Sequence, residues 1–259
     1  MVYGISTQKW DSIVEVEELT KKFGDFTAVS AISFQAKEGE ILGFLGPNGA
    51  GKSTLIKMLC GILKPTSGHG QVSGFDLSTE REKLKELIGY MSQRFSLYDD
   101  LTVLENIEFF GGVYGLSREK RREREASILD MFHLEGHRES LAGTLSGGMK
   151  QKLALGCAII HEPRILFLDE PTSGVDPSSR RDFWDLIYHL SSQRMTVFVS
   201  THYMDEAEHC DRLAFMHKGE LIALGTPKEI KDEAERVRGS PLPTLHELFI
   251  MMIKMREGM

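Results

Sequence analysis

The sequence predicts an α/β fold: a mixed, mainly parallel sheet with an antiparallel part and an inserted all-helical subdomain. Three observations carry that expectation. Apolar strand-like runs alternate with helix-like runs up to about residue 97 and again after Leu145, as in α/β proteins. From about Leu97 to Thr144 strand signals vanish and helical ones dominate. Two glycine-rich loops, Gly46–Thr54 and Leu145–Gln151, each stand at the opening of an apolar helix.

Residues 13–45 read as short strands around turns at Gly24-Asp25 and Glu38-Gly39, ending in the apolar run Ile41–Leu45. A helix Leu55–Leu63 follows, and Lys64-Pro65-Thr66-Ser67-Gly68 is turn chemistry that ends it. Val72–Phe75 reads as a short strand, Arg81–Leu87 as a charged helix, and Ile88–Gln93 as a strand ending in a polar residue. Helices Leu101–Phe110 and Ser117–Phe132 fill the helical block, where the mixed-sign run Arg118–Glu125 is a solvated face. After Leu145 come a helix Leu153–Ile160, a buried strand Ile165–Leu168, a helix Arg180–Leu190 and a strand Thr196–Val199. Leu213–Met216 and Leu221–Leu224 flank His217-Lys218-Gly219-Glu220 as a hairpin. Pro227 and Glu229 open a short helix, and Ser240-Pro241-Leu242-Pro243 is a stiff break. The last helix sets Leu245, Leu248, Phe249, Met252 and Met255 on roughly one face, which suits packing on its own domain, with a partner contact as the alternative.

Gly46-Pro47-Asn48-Gly49-Ala50-Gly51-Lys52-Ser53-Thr54 fits G-x-x-x-x-G-K-[ST], and it sits between a strand and a helix as that motif requires. Its backbone N–H groups would surround the β- and γ-phosphates of a nucleotide, Lys52 would meet their oxygens, and Ser53 would bind Mg²⁺. Leu145-Ser146-Gly147-Gly148-Met149-Lys150-Gln151 is a second anion cradle. Ser146 adds a hydroxyl, and Gly147 and Gly148 let an anion reach a helix N-terminus. Asp169 and Glu170 end a buried strand, where open α/β sheets bind ligands. Asp169 suits the Mg²⁺ shell, and Glu170 suits general-base contact with the attacking water. Gln93 and His202 each end an apolar strand run, so both are placed to project from the same sheet edge. Gln93 would bridge Mg²⁺ and water, and His202 would donate to the γ-phosphate.

In this order the motifs resemble an ATP-binding cassette (ABC) nucleotide-binding domain, built on a P-loop NTPase core; the match covers about Val14 to Pro227. Gly46–Thr54 is similar to Walker A, Gln93 to the Q-loop glutamine, and Leu145–Gln151 to the ABC signature, with Met149 in place of the usual Gln. Ile165–Glu170 is similar to Walker B with its catalytic glutamate, Ser173-Gly174-Val175-Asp176 to the D-loop, and His202 to the switch histidine. Phe23 falls where the family stacks an aromatic, usually Tyr, on adenine. The resemblance implies ATP and Mg²⁺ as cofactors, and catalytic roles for Glu170, His202, Gln93 and Lys52. It also implies nucleotide contacts from Ser146, Gly147, Gly148 and Asp176 across a head-to-tail pair of cassettes. It divides the chain into a flexible N-terminus (1–12), the cassette (13–230, helical subdomain about 97–150) and a C-terminal helical extension (231–259). Its partners would be a second cassette, in a homodimer or pseudo-dimer, and an integral membrane permease. The Gly225-Thr226-Pro227 tail and closing helix look like ATPases of ABC-2-type exporters. The alternative is a soluble ABC ATPase that moves no solute, such as a translation or DNA-repair factor. Those usually carry paired cassettes or long coiled-coil insertions, and this chain shows neither. A P-loop kinase explains Lys52 and Asp169 but leaves the signature idle.

Composition agrees with this class. A chain of 259 residues, 41% hydrophobic and 27% charged, is that of a globular protein with one large domain or two small ones. A net charge of −7 gives no electrostatic reason to expect nucleic acid. Cys60, Cys157 and Cys210 lack metal-ligand spacing and read as reduced thiols. The N-terminal residues lack an apolar targeting core, and the most apolar late run, Leu248–Ile253, is six residues against the roughly 20 of a spanning helix. The expectation is a cytoplasmic protein, peripheral on the cytoplasmic face of the membrane when bound to its permease.

Overall fold

A computed structural model describes residues 12–238 and 244–257. Strands β1 (Ser12–Phe23) and β2 (Phe26–Lys37) pair antiparallel around the Gly24-Asp25 turn. They are long where the sequence predicts short ones. Register shifts within the pair, with Glu18 (φ 50°) and Ala31 (φ 48°) in the left-handed region, break the alternation a strand pattern depends on. β3 (Ile41–Leu45) leads through the phosphate loop into α1 (Lys52–Leu59), which stops short of Leu63 at the tight Cys60-Gly61 turn. β4 (Ser67–Val72) absorbs the expected Ser67-Gly68 turn. The expected strand Val72–Phe75 is instead the turn of a hairpin: Ser73 (φ 51°) and Gly74 (φ 80°) separate β4 from β5 (Phe75–Asp76). Then come α2 (Arg81–Leu87) and β6 (Ile88–Met91).

The helical block holds α3 (Val103–Val113), α4 (Arg118–Met131) and α5 (Gly147–Ala158). Thr102 and Glu105 close a reciprocal capping box on α3, and Ser117 caps α4. The chain returns to the sheet with β7 (Ile165–Asp169), α6 (Pro177–Ser192), β8 (Thr196–Thr201), β9 (Arg212–His217) and β10 (Glu220–Gly225). It ends in α7 (Pro227–Arg238) and α8 (Leu245–Glu257). The stiff break expected at Ser240–Pro243 and residues 1–11 of the expected N-terminal segment lie outside the described residues.

The larger sheet runs β10-β9-β3-β8-β7-β6, parallel throughout except for β10 on β9. A smaller antiparallel sheet, β2-β1-β4-β5, covers one of its faces. Strands buried on both faces are near-continuous apolar runs, and β7 is one. Leu166 and Leu168 face a core shared with the helical block, α6 and α8. Ile165 and Phe167 face the opposite core, with α1 and the antiparallel sheet. There Phe167, Phe198 and Phe44 stack at 4.6 and 5.8 Å, and Phe34 of β2 meets Phe44 edge-on at 5.7 Å. Each such ring contributes about 2–3 kcal/mol by burial, which locks the two sheets together.

The last helix packs on its own domain as the sequence suggests. Leu248 and Phe249 are buried, and Phe249 meets Phe215 edge-on at 5.4 Å. Met255 is the exception on that face and stays exposed. All three cysteines are buried free thiols. Among the described residues no helix is long and apolar enough to cross a membrane.

Candidate active site

The phosphate loop is held by two bonds to other segments and one turn bond within itself. Gly46 N–H donates to Thr201 O at 3.3 Å, Ala50 N–H to Pro47 O at 3.1 Å, and Gly219 N–H to Ala50 O at 3.0 Å. At Gly51 only glycine fits: φ is +101°, and a Cβ would lie 2.5 Å from Ala28 O. Pro47, Asn48 and Gly49 are exposed on the rim, and Ser53 and Thr54 are half-buried in the first turn of α1.

Lys52 is only 4% exposed, yet carries an ammonium. Its Nζ donates to Gly46 O at 2.7 Å and Pro47 O at 3.2 Å, and lies 3.3 Å from Glu170 Oε1. Burial pushes the Lys52 pKa below the ordinary lysine range, opposed by the Glu170 and Asp169 carboxylates. Ser53 Oγ donates to Asp169 Oδ1 at 2.9 Å, and Ser200 Oγ donates to the same oxygen at 2.6 Å.

Glu170 leaves the strand ladder with φ 49°, held by its N–H on Ser200 O at 3.1 Å. A non-glycine residue in this region costs on the order of 1 kcal/mol and persists where the surroundings over-determine it. Gln93 Nε2 donates to Glu170 Oε2 at 3.2 Å. His202 Nδ1 reaches the same oxygen at 3.2 Å, though without hydrogen-bond geometry. Lys52, Ser53, Gln93, Asp169, Glu170 and His202, predicted separately from strand ends and one loop, thus meet in one cluster.

The other predicted residues lie elsewhere. Ser146 caps α5, accepting from Met149 N–H at 3.3 Å, so Gly147 and Gly148 form the first turn rather than a loop before it. Ser146 and Gly147 are exposed, and none of the three hydrogen-bonds to the Lys52 cluster. Asp176 caps α6, accepting from Ser178 and Ser179 N–H at 3.0 Å each, with Pro177 at the first helical position. Phe23 is 51% exposed at the end of β1, with Lys21 Nζ 5.1 Å from its ring centre. Its cross-strand partner, Phe26, is also exposed. Sequence reasoning missed Ser200, which pairs in register with Asp169, and read Gln151 only as the end of the signature, whereas its buried amide donates to Pro171 O at 2.8 Å. A polar residue near the end of the apolar run Thr196–Thr201 was the available signal for Ser200.

No group of three or more His, Cys, Asp and Glu among the described residues could hold a metal alone. The donor set fits Mg²⁺, which takes one or two protein oxygens and fills its octahedron with water and phosphate. Ser53 Oγ and the Asp169 carboxylate supply that pair beside the phosphate loop, and Gln93 stands close by.

The model of the ABC transporter family matches residues 29–173. The protein described as "Probable multidrug ABC transporter ATP-binding protein YbhF" of Escherichia coli is 49% identical over 243 residues, 94% of this chain. The chain spans only 42% of the length of that relative. The linearmycin resistance ATP-binding protein LnrL of Bacillus subtilis is 40% identical over 219 residues, 84% of this chain and 70% of LnrL. Among solved structures, the dimeric ATP-binding cassette MJ0796 bound to ADP and Pi superposes with a TM-score of 0.74 at 30% identity, covering 82% of this chain and 98% of that one. Geometry, family model and relatives agree: the chain belongs to the ABC transporter family, among its ATP-binding cassettes.

Proposed function

We propose that this chain binds and hydrolyses ATP as one of two cassettes that close head to tail, and that closure drives an integral membrane permease, of the ABC-2 export type. The carrying observation is the split between its two anion sites. Six polar side chains converge beside the phosphate loop, while Ser146 and Gly147 lie exposed on the helical block without touching them. An exposed anion cradle at a helix N-terminus fits the γ-phosphate held by a second copy. The solved dimer of MJ0796 supports pairing, and the names of YbhF and LnrL support export.

In this reading Phe23 stacks on adenine, and the N–H groups of Gly46–Thr54 with Lys52 hold the phosphates. Ser53, Asp169 and Gln93 hold Mg²⁺, which when bound neutralises developing phosphate charge. Glu170 takes a proton from the attacking water, its carboxylate oriented by Gln93. His202 donates to the γ-phosphate. Asp176, at the head of α6, meets the partner copy. Residues 13–230 act as the cassette and 231–259 as an extension, with α7 running through that boundary. The permease docks on the helical block near Tyr98, which is 44% exposed and packs edge-on against the exposed Phe109 at 4.6 Å. The chain then works on the cytoplasmic face of the membrane.

Complementation tests the pairing. Lys52→Ala and Gly147→Asp each abolish turnover alone, because one lacks a phosphate grip and the other a signature. Mixed, they form heterodimers with one intact composite site, restoring about a quarter of parental activity. No restoration, with both variants folded and Gly147→Asp still binding ATP, would overturn the head-to-tail reading. Stimulation of turnover on reconstitution with a permease separates export from the soluble alternative.

A further inference from the structure

Glu206 is 1% exposed, in the single helical turn 206–209 that follows His202, and its charge takes no part in the Lys52 cluster. Its Oε1 accepts from the Thr172 hydroxyl and lies 3.5 Å from Arg180 Nε. Its Oε2 is buried without a hydrogen-bond partner. A buried carboxylate with an unpaired oxygen is costly, and a neutral side chain of similar volume would be cheaper there. Its burial there points to a role other than stability.

The neighbours of Glu206 supply one. Thr172 stands two residues after Glu170, in a segment fixed by Ser173 N–H on Glu170 O at 3.2 Å and by Gln151 Nε2 on Pro171 O at 2.8 Å. Arg180 donates from Nη1 to Asp205 Oδ2 at 3.3 Å and lays its guanidinium over the Tyr203 ring at 4.4 Å. The Tyr203 ring in turn lies 4.2 Å from that of His202. Glu206 therefore ties the segment carrying Glu170 to the segment carrying His202, and both to α6.

We propose that Glu206 is a positioning residue: by clamping Thr172 and Arg180 it sets the approach of His202 to Glu170. The proposal rests on the roles of Glu170 and His202 given under Proposed function. Glu206 contacts Thr172 and Arg180 rather than the Lys52 cluster, and acts only through Glu170 and His202. Misplacing a reacting group by an ångström can cost up to about a hundredfold in rate, and a loosened clamp does part of that.

The test compares kcat, KM for ATP and Tm for Glu206→Gln, Thr172→Val and the double variant, with Glu170→Gln as reference. Gln keeps the size of Glu206 and removes the charge facing Arg180; Val keeps the shape of Thr172 and removes the donor. Each single variant should lower kcat about tenfold and leave KM within about twofold. The double variant should be no slower than the slower single, because both break one link. The proposal is overturned if both singles keep kcat within about twofold of the parent. It is equally overturned if kcat, KM and Tm fall together, the signature of a merely structural residue. Glu170→Gln turning over at the parental rate sinks the underlying base assignment. An inactive Glu170→Gln beside a fully active Glu206→Gln sinks the positioning role alone.

Discussion

Replacing Glu170 with Gln exchanges one carboxylate oxygen for an NH₂ group and removes a negative charge 3.3 Å from Lys52 Nζ. Two consequences follow, of opposite sign. The side chain loses its basicity, so hydrolysis should fall by about 10²–10⁴-fold, the usual worth of a positioned general base. Nucleotide affinity should rise. In the proposed function the phosphates of ATP would compete with Glu170 for the Lys52 ammonium and would be repelled by a carboxylate that burial leaves poorly screened. At an effective dielectric constant of about 20, a unit pair at 3.3 Å interacts by about 5 kcal/mol, an upper bound. Lys52 keeps its carbonyl partners Gly46 O and Pro47 O in the variant. A net gain of about 1–2 kcal/mol, or roughly tenfold in Kd, is therefore the working figure. Calorimetry with ATP and EDTA measures it in both proteins without turnover, and phosphate release with Mg²⁺ measures the rate. An affinity equal to or below the parent's would refute the competition for Lys52. An unchanged rate would refute the base.

Two further outcomes concern stability. His161 stacks on Tyr114 at 3.6 Å with Nδ1 buried and unpartnered, and burial pushes its pKa down to about 4. Its folded pKa lies below the unfolded value of about 6.5, so the unfolded chain binds the extra proton between those values. The contribution of His161 to stability should be flat above pH 6.5 and fall by up to about 3 kcal/mol as pH drops toward 4. Thermal melts of His161→Phe should lose that slope, and an unchanged slope would assign it to other groups. Phe249→Ala should cost about 3–4 kcal/mol because the ring is buried against Phe215. Denaturant melts check it, and a cost below about 1 kcal/mol would mean that α8 is not part of the core.

The site was legible where its chemistry coincides with a local structural signal. Lys52 and Ser53 sit in a strand–loop–helix motif, and Gln93, Asp169, Glu170 and His202 each follow an apolar run, so sequence alone brings them to one sheet edge. Ser200, Glu206 and the contact made by Gln151 were not legible, because each is defined by a partner far along the chain. The distances are 31 residues to Asp169, 20 to Pro171 and 34 to Thr172. Only the folded register makes those neighbours. The same reason hid the length of β1 and β2. Their bulges interrupt the period-two pattern, and cross-strand pairing restores a continuity no window of sequence contains.

In the proposed function two adjacent carboxylates take different work, and little backbone change separates them. Asp169 ends the β7 ladder, paired with Ser200, and its Oδ1 takes two hydroxyl donors. Two hydroxyl donors fix the direction of that oxygen, as binding a cation requires. One residue later the backbone turns to φ 49°, which takes Glu170 out of the pleat. Its two oxygens then face an ammonium, an amide and an imidazole on three different segments. A carboxylate so placed is poised between partners rather than fixed to one. Combining Asp169→Glu with Glu170→Asp would conserve charge and composition yet misplace both groups, because the positive φ belongs to the second position and not to the residue type. The proposed division of labour thus follows the backbone at the end of one strand, with the side chains placed by it.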